Sequence, residues 1–149
     1  IKLDGTSTPN GSLSGATVVG TGITSSLEVT STSGNKKTYT VAVSKNTSAY
    51  LTNFQVKKGS TNQPFTPNFT RNNFGPYSLN IGTTTSVTIW ITKEDTNATA
   101  VVTSNGTPLT LSGSSYPLSM PAAGSYAIVV TVTSTTGDIK TYTLNITRN

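Results

Sequence analysis

The sequence predicts an all-β protein, an antiparallel β-sandwich in one complete copy preceded by a partial one. Three observations carry that expectation. Ser and Thr make up 50 of the 149 residues, and β-branched Thr suits the solvent face of a pleated sheet. Apolar residues alternate with polar ones in short runs, with turn signals roughly every 8–12 residues, the pattern of a sandwich or barrel. Finally, Ser31–Asn46 returns as Ser134–Asn149, 103 residues further on, with Gly34, Lys37, Thr38, Tyr39, Thr40 and Asn46 falling on Gly137, Lys140, Thr141, Tyr142, Thr143 and Asn149. A self-match at a fixed period marks a repeat architecture.

The elements follow in chain order. Residues 1–47 read as the second half of a sandwich: a short strand at Ile1–Leu3, a turn at Asp4-Gly5-Thr6, a strand through Leu27 and Val29, and another through Tyr39, Val41 and Val43. Residues 48–149 read as a complete copy. Its first strand lies at Leu51–Val56. Tyr77, Leu79 and Ile81 form a second, and Val87, Ile89 and Ile91 a third. Asn105-Gly106 is the best hairpin turn, since both residues tolerate positive φ. Tyr126, Ile128, Val130 and Val132 form the most apolar strand, expected at the centre of its sheet. Tyr142, Leu144 and Ile146 close the chain. No stretch has a helical apolar period, so no helix is expected. A unit of about 100 residues can bury its own core, whereas one of about 47 sits at the margin.

Composition narrows the function. The net charge is +5, from ten Lys and Arg against five Asp and Glu, and the basic residues are scattered. Without a basic block the chain is not expected to bind nucleic acid; such a surface suits an anionic cell wall. No run approaches the ~18 apolar residues of a membrane span, so no membrane insertion is expected. The chain starts at Ile1 with no basic or apolar leader, which reads as a processed product or a window on something longer. There is no Cys and no His.

The segments Leu51-Thr-Asn-Phe-Gln-Val56, Phe65-Thr-Pro-Asn-Phe69, Tyr77-Ser-Leu-Asn-Ile81, Asn105-Gly-Thr107 and Gly137-Asp-Ile-Lys-Thr-Tyr-Thr-Leu-Asn-Ile-Thr-Arg148 resemble the bacterial cadherin-like (Ig-like) β-sandwich repeat. The resemblance covers about 50–148, with 1–46 resembling the family's second half only. It implies a tandem, extracellular cell-surface module of the kind found on adhesins and multi-domain glycan-acting enzymes. The acidic junction clusters of animal cadherins are missing, so calcium-rigidified junctions are not implied.

Site chemistry is sparse. Acid–base or nucleophilic catalysis needs a tuned partner pair. The acidic residues are only Asp4, Glu28, Glu94, Asp95 and Asp138. Glu94-Asp95, the one adjacent pair, reads as a solvated turn, so no enzyme activity and no cofactor are expected. With Asn97 the pair could offer calcium a few oxygens, fewer than the six to eight that ion takes; zinc ligands are absent. Trp90, placed outward by alternation, is a candidate contact for a glycan or a partner; otherwise it fills the core or lies under a loop. Phe74 and Arg71, at a turn, are further candidate contacts beside the core positions Phe65, Phe69 and Tyr77. A Lys57–Asn145 isopeptide bond is rejected, because Asn145 shares the outer face with Thr141 and Thr143. Six N-x-Ser/Thr triplets are close to what so many Asn, Ser and Thr give by chance.

A half-sandwich exposes an apolar face and an open edge that recruit a strand. The missing strands either lie elsewhere in a longer array or come from another molecule by strand addition. The expected partners are thus neighbouring repeats or further copies of the chain, with cell-wall or other glycans as the alternative. The expected function is that of a non-catalytic structural or adhesion module at the cell surface.

Overall fold

The computed structural model describes residues 2–3, 6–7, 22–44 and 47–149. The chain divides into two compact units, Ile1–Asn46 and Thr47–Asn149. No helix occurs among the described residues.

The first unit holds β1 (Lys2–Leu3), β2 (Thr6–Ser7), β3 (Gly22–Thr30) and β4 (Lys36–Ser44) in one antiparallel sheet ordered β2-β1-β3-β4. Leu3 stands opposite Thr6 and also opposite Leu27. Ile1 and the Asp4-Gly5 turn lie outside the described residues.

The second unit is a sandwich. Its strands are β5 (Leu51–Lys58), β6 (Thr61–Gln63), β7 (Tyr77–Asn80), β8 (Ser86–Lys93), β9 (Thr99–Ser104), β10 (Thr107–Pro108), β11 (Tyr116–Ser119), β12 (Gly124–Thr133) and β13 (Ile139–Arg148). One sheet runs β10-β9-β12-β13-β7, the other β11-β8-β5-β6. All pairs are antiparallel except β13 with β7, whose four residue pairs run from Leu144–Tyr77 to Thr147–Asn80 in parallel. The apolar strand β12 is central in its sheet, as its composition predicts.

Period-two alternation sets the core. From the larger sheet Val102, Ile128, Val130, Val132, Tyr142, Leu144 and Ile146 point inward and are buried, while Thr141 and Asn145 are exposed. Leu51, Phe54, Val56, Val87, Ile89 and Leu118 face them from the other sheet. Each buried side chain of this size stabilises the unit by roughly 1.5–3 kcal/mol relative to an exposed one. Strict alternation fails in β5, where Leu51 and Phe54 are both buried at odd spacing. A register shift between Leu51 and Asn53 explains it: an extra residue bulges there and resets the phase.

At one end of the core, five rings of Phe54, Phe65, Phe69, Tyr77 and Tyr142 meet with centroids 4.9–6.4 Å apart, the tilted and edge-on spacing aromatic pairs prefer. Asn105 (φ 48°) and Gly106 (φ 80°) make the hairpin turn between β9 and β10, as their tolerance of positive φ predicts. Gly75 has a different role. At φ 95° it lies so close to β13 that a Cβ would run into the Thr143 carbonyl, and the Thr143 N–H donates to the Phe74 carbonyl at 2.9 Å.

Candidate functional site

The residues singled out in the sequence fall at separate places. Arg71 and Phe74 come together with others at the end of the sandwich where β5 begins. The Arg71 guanidinium grips Glu94 with two contacts, Nε to Oε1 at 3.0 Å and Nη2 to Oε2 at 2.7 Å. Its other resource, the planar face, lies 3.8 Å from the centroid of Tyr50, the stacking that suits guanidinium better than ammonium. Glu94 also accepts from the Ser48 hydroxyl. Arg71 holds the Glu94 carboxyl below the usual carboxylate range, with Ser48 adding to the effect, and Glu94 raises Arg71 in turn. Phe74 is half-buried, 5.1 Å from the Tyr142 ring and 6.0 Å from Tyr50. Lys140 completes the group, with Nζ 5.2 Å from the Tyr50 centroid.

Tyr142 ties this group to the core. Its hydroxyl accepts from the buried Leu51 N–H at 3.0 Å and donates to the Arg71 carbonyl at 3.3 Å. Burial pushes the phenol pKa up. The cluster thus fastens the loop around Arg71 to the starts of β5 and β13. Tyr50 and Ser48 gave no sequence signal, because pairing across loops has no periodicity, and Lys140 stood out only as the repeat of Lys37.

The expectation of a solvated Glu94-Asp95 turn is corrected. Glu94 is half-buried in the arrangement above, and Asp95 is 2% exposed. Asp95 Oδ1 accepts from the Asn97 N–H at 2.9 Å, and Lys93 Nζ donates to the carbonyls of Thr96 and Ala98. The ammonium of Lys93 thus ties the turn together through these carbonyls. No group of three or more acidic, His or Cys side chains is poised to hold a metal among the described residues.

Trp90 points to the outer face of its sheet, directly opposite Gln55. It is half-buried. Lys57 Nζ stands 4.3 Å from its centroid, and its ring N–H donates to Thr88 Oγ1 at 3.0 Å. Trp90 therefore neither fills the core nor offers a bare ring.

The third place is the β3–β4 hairpin. In β12–β13, Thr133, Val130 and Ile128 stand opposite Ile139, Tyr142 and Leu144. In β3–β4, Thr30, Leu27 and Ser25 stand opposite Lys36, Tyr39 and Val41: the same register at the same offset. The turns agree as well. Ser31 N–H donates to Asn35 O at 2.8 Å and Ser134 N–H to Asp138 O at 2.8 Å; Gly34 and Gly137 close back on Ser31 and Ser134 at 3.0 and 3.1 Å. The sheet orders match too, β2-β1-β3-β4 against β10-β9-β12-β13. What differs is cover. Tyr142 and Leu144 are wholly buried, while Tyr39 is 46% and Val41 51% exposed. On the outer side of β13 lies β7, whereas β4 has no strand beside it there among the described residues.

The sandwich of the second unit is the part of the chain that a family model matches. The cadherin-like beta sandwich domain matches residues 50–149. No match was found among curated proteins. The chain belongs to the cadherin-like β-sandwich domain family.

Proposed function

We propose that this chain is a non-catalytic structural and adhesion module of a microbial surface protein or fibre, working outside the cell and joined to others of its kind by strand addition. The family supports the coarse part, a structural or adhesion module. One observation supports the rest: a hairpin of identical register is covered in the second unit and uncovered in the first. Strand addition along β4 would supply there what β7 supplies to β13, with main-chain bonds for affinity and alternate side chains for fit. A head-to-tail contact of that kind builds a filament when its rotation does not close into a ring. The glycan-binding alternative draws no support from Trp90, whose ring carries Lys57.

Light scattering and negative-stain electron microscopy of the chain test the reading. Regular filaments from the native chain, lost in Val41→Asp while the second unit keeps its fold, are the expected result. A concentration-independent monomer with a protease-sensitive hairpin would remove assembly from the function and leave a spacer.

A further inference from the structure

We infer that a cleft on the open side of β5, in the second unit, binds an extended, uncharged polypeptide segment by main-chain addition. The site is distinct from the β3–β4 hairpin and does not depend on the assembly proposed above.

The cleft exists because β6 is short. It pairs only with Val56, Lys57 and Lys58. After Gln63 the chain turns away at Pro64, which has no N–H to continue a ladder, and Thr66 joins Ser78 of the opposite sheet through bonds of 2.9 and 2.7 Å. Asn53, Phe54 and Gln55 are therefore left without a strand partner on that side. The space is about 220 Å³, below the roughly 300–1,000 Å³ of small-molecule sites. It suits a short stretch of chain lying where β6 would have continued.

Five amide side chains line it: Asn53, Gln55, Asn62, Gln63 and Asn68. They include both glutamines of the sequence. Gln63 donates to the Thr61 carbonyl at 3.2 Å; the other four side chains make no hydrogen bond among the described residues. An amide offers both donors and an acceptor, so it can match either half of a peptide group.

Charge selects the ligand. No Lys, Arg, Asp or Glu lines the cleft, although the chain carries +5. A charged segment would lose hydration there and meet no counter-charge, so the match is to an uncharged one. A neutral sugar would need a flat ring to stack on. Phe54 and Phe65 are nearly fully buried, the half-buried Phe69 has its ring packed among Phe54, Tyr77 and Tyr142, and Trp90 across the strand carries Lys57. An open strand edge favours a peptide instead.

The test uses the intact, 15N-labelled chain titrated with acetyl-Thr-Val-Thr-Val-Thr-amide and followed by NMR, where the two glutamine side chains give separable signals. Saturable shifts are expected at both glutamine side chains and at the backbone N–H groups of residues 53–55. The double variant Gln55→Ala/Asn62→Ala should weaken binding about tenfold or more with β12–β13 signals unmoved. Alternate N-methylation of the peptide, which removes main-chain donors, should abolish it. No saturable shift would overturn the inference, as would equal binding by the N-methylated peptide or by a version with Glu in place of Thr. Shifts of the same amides with cellohexaose but not with the peptide would reassign the cleft to a glycan.

Discussion

Tyr39 and Tyr142 occupy the same register position in two hairpins of one chain, yet Tyr142 is wholly buried and Tyr39 is 46% exposed. Backbone pairing is therefore satisfied by the hairpin alone, while burial of its inner face depends on a second layer. Residues at matched positions should consequently respond differently to the same substitution.

Removing the Tyr142 hydroxyl leaves the buried Leu51 N–H without its partner. An unpaired buried donor costs about 1–3 kcal/mol, so Tyr142→Phe should lower the urea midpoint of the second unit, read by the fluorescence of Trp90, the one tryptophan of the chain. Tyr39→Phe should leave that midpoint unchanged.

Leu144→Ala opens a cavity at a wholly buried site and should cost about 2–5 kcal/mol in the same measurement. Val41→Ala, at the matched and half-exposed position, should change the stability of the monomeric chain by no more than about 0.5 kcal/mol. A loss at Val41 as large as that at Leu144 would mean the first unit has a cover of its own.

Gly75→Ala combines a left-handed backbone with a clash against the Thr143 carbonyl. The backbone strain alone costs about 1–3 kcal/mol, and the clash adds to it. Thermal unfolding should show a clear drop in Tm, and hydrogen exchange should show it concentrated where β7 meets β13. An unchanged Tm would mean that the Gly75 loop yields without cost.

Acid should act through Glu94. Its carboxyl is held low by Arg71 and then Ser48, so the unfolded chain binds its proton first as pH falls. The associated stability is present above the ordinary glutamate pKa of about 4.3 and is lost as pH falls through the depressed folded value. Urea midpoints from pH 6 to pH 2 should fall less for Glu94→Gln than for the native chain. At the alkaline end the sign reverses: Tyr142 and Tyr77 are raised by burial, so stability should decline once pH exceeds the ordinary tyrosine pKa of about 10.

Much of the sandwich was legible because burial follows a period of two wherever a strand has one wet and one dry face. Tyr142, Leu144 and Ile146, or Val87 and Ile89, could be assigned inward on that basis alone. The bulge between Leu51 and Asn53 was not, since an added residue leaves no mark of its own in the sequence. The Tyr50–Arg71–Glu94 grouping was also hidden. Contacts between loops obey geometry, not period, and a carboxylate in a turn reads as solvated until its partner is placed. The amide cleft escaped for a related reason: its five side chains come from a strand, a hairpin and a loop, and Asn and Gln are ordinary surface residues taken singly.

The parallel pairing of β7 with β13 has a mechanical consequence. β13 leads directly to the end of the second unit, and β7 follows its first strands. Tension on the two ends of Thr47–Asn149 enters through β5 in the other sheet and reaches β7 only once β5 and β6 have come away; from then on it draws β7 and β13 in opposite directions along their shared axis. Their four residue pairs would then bear the load in shear, together, instead of parting one at a time like a zip. A module with this clamp keeps a grip after its first strands have left, and that grip would be lost in a single abrupt slip.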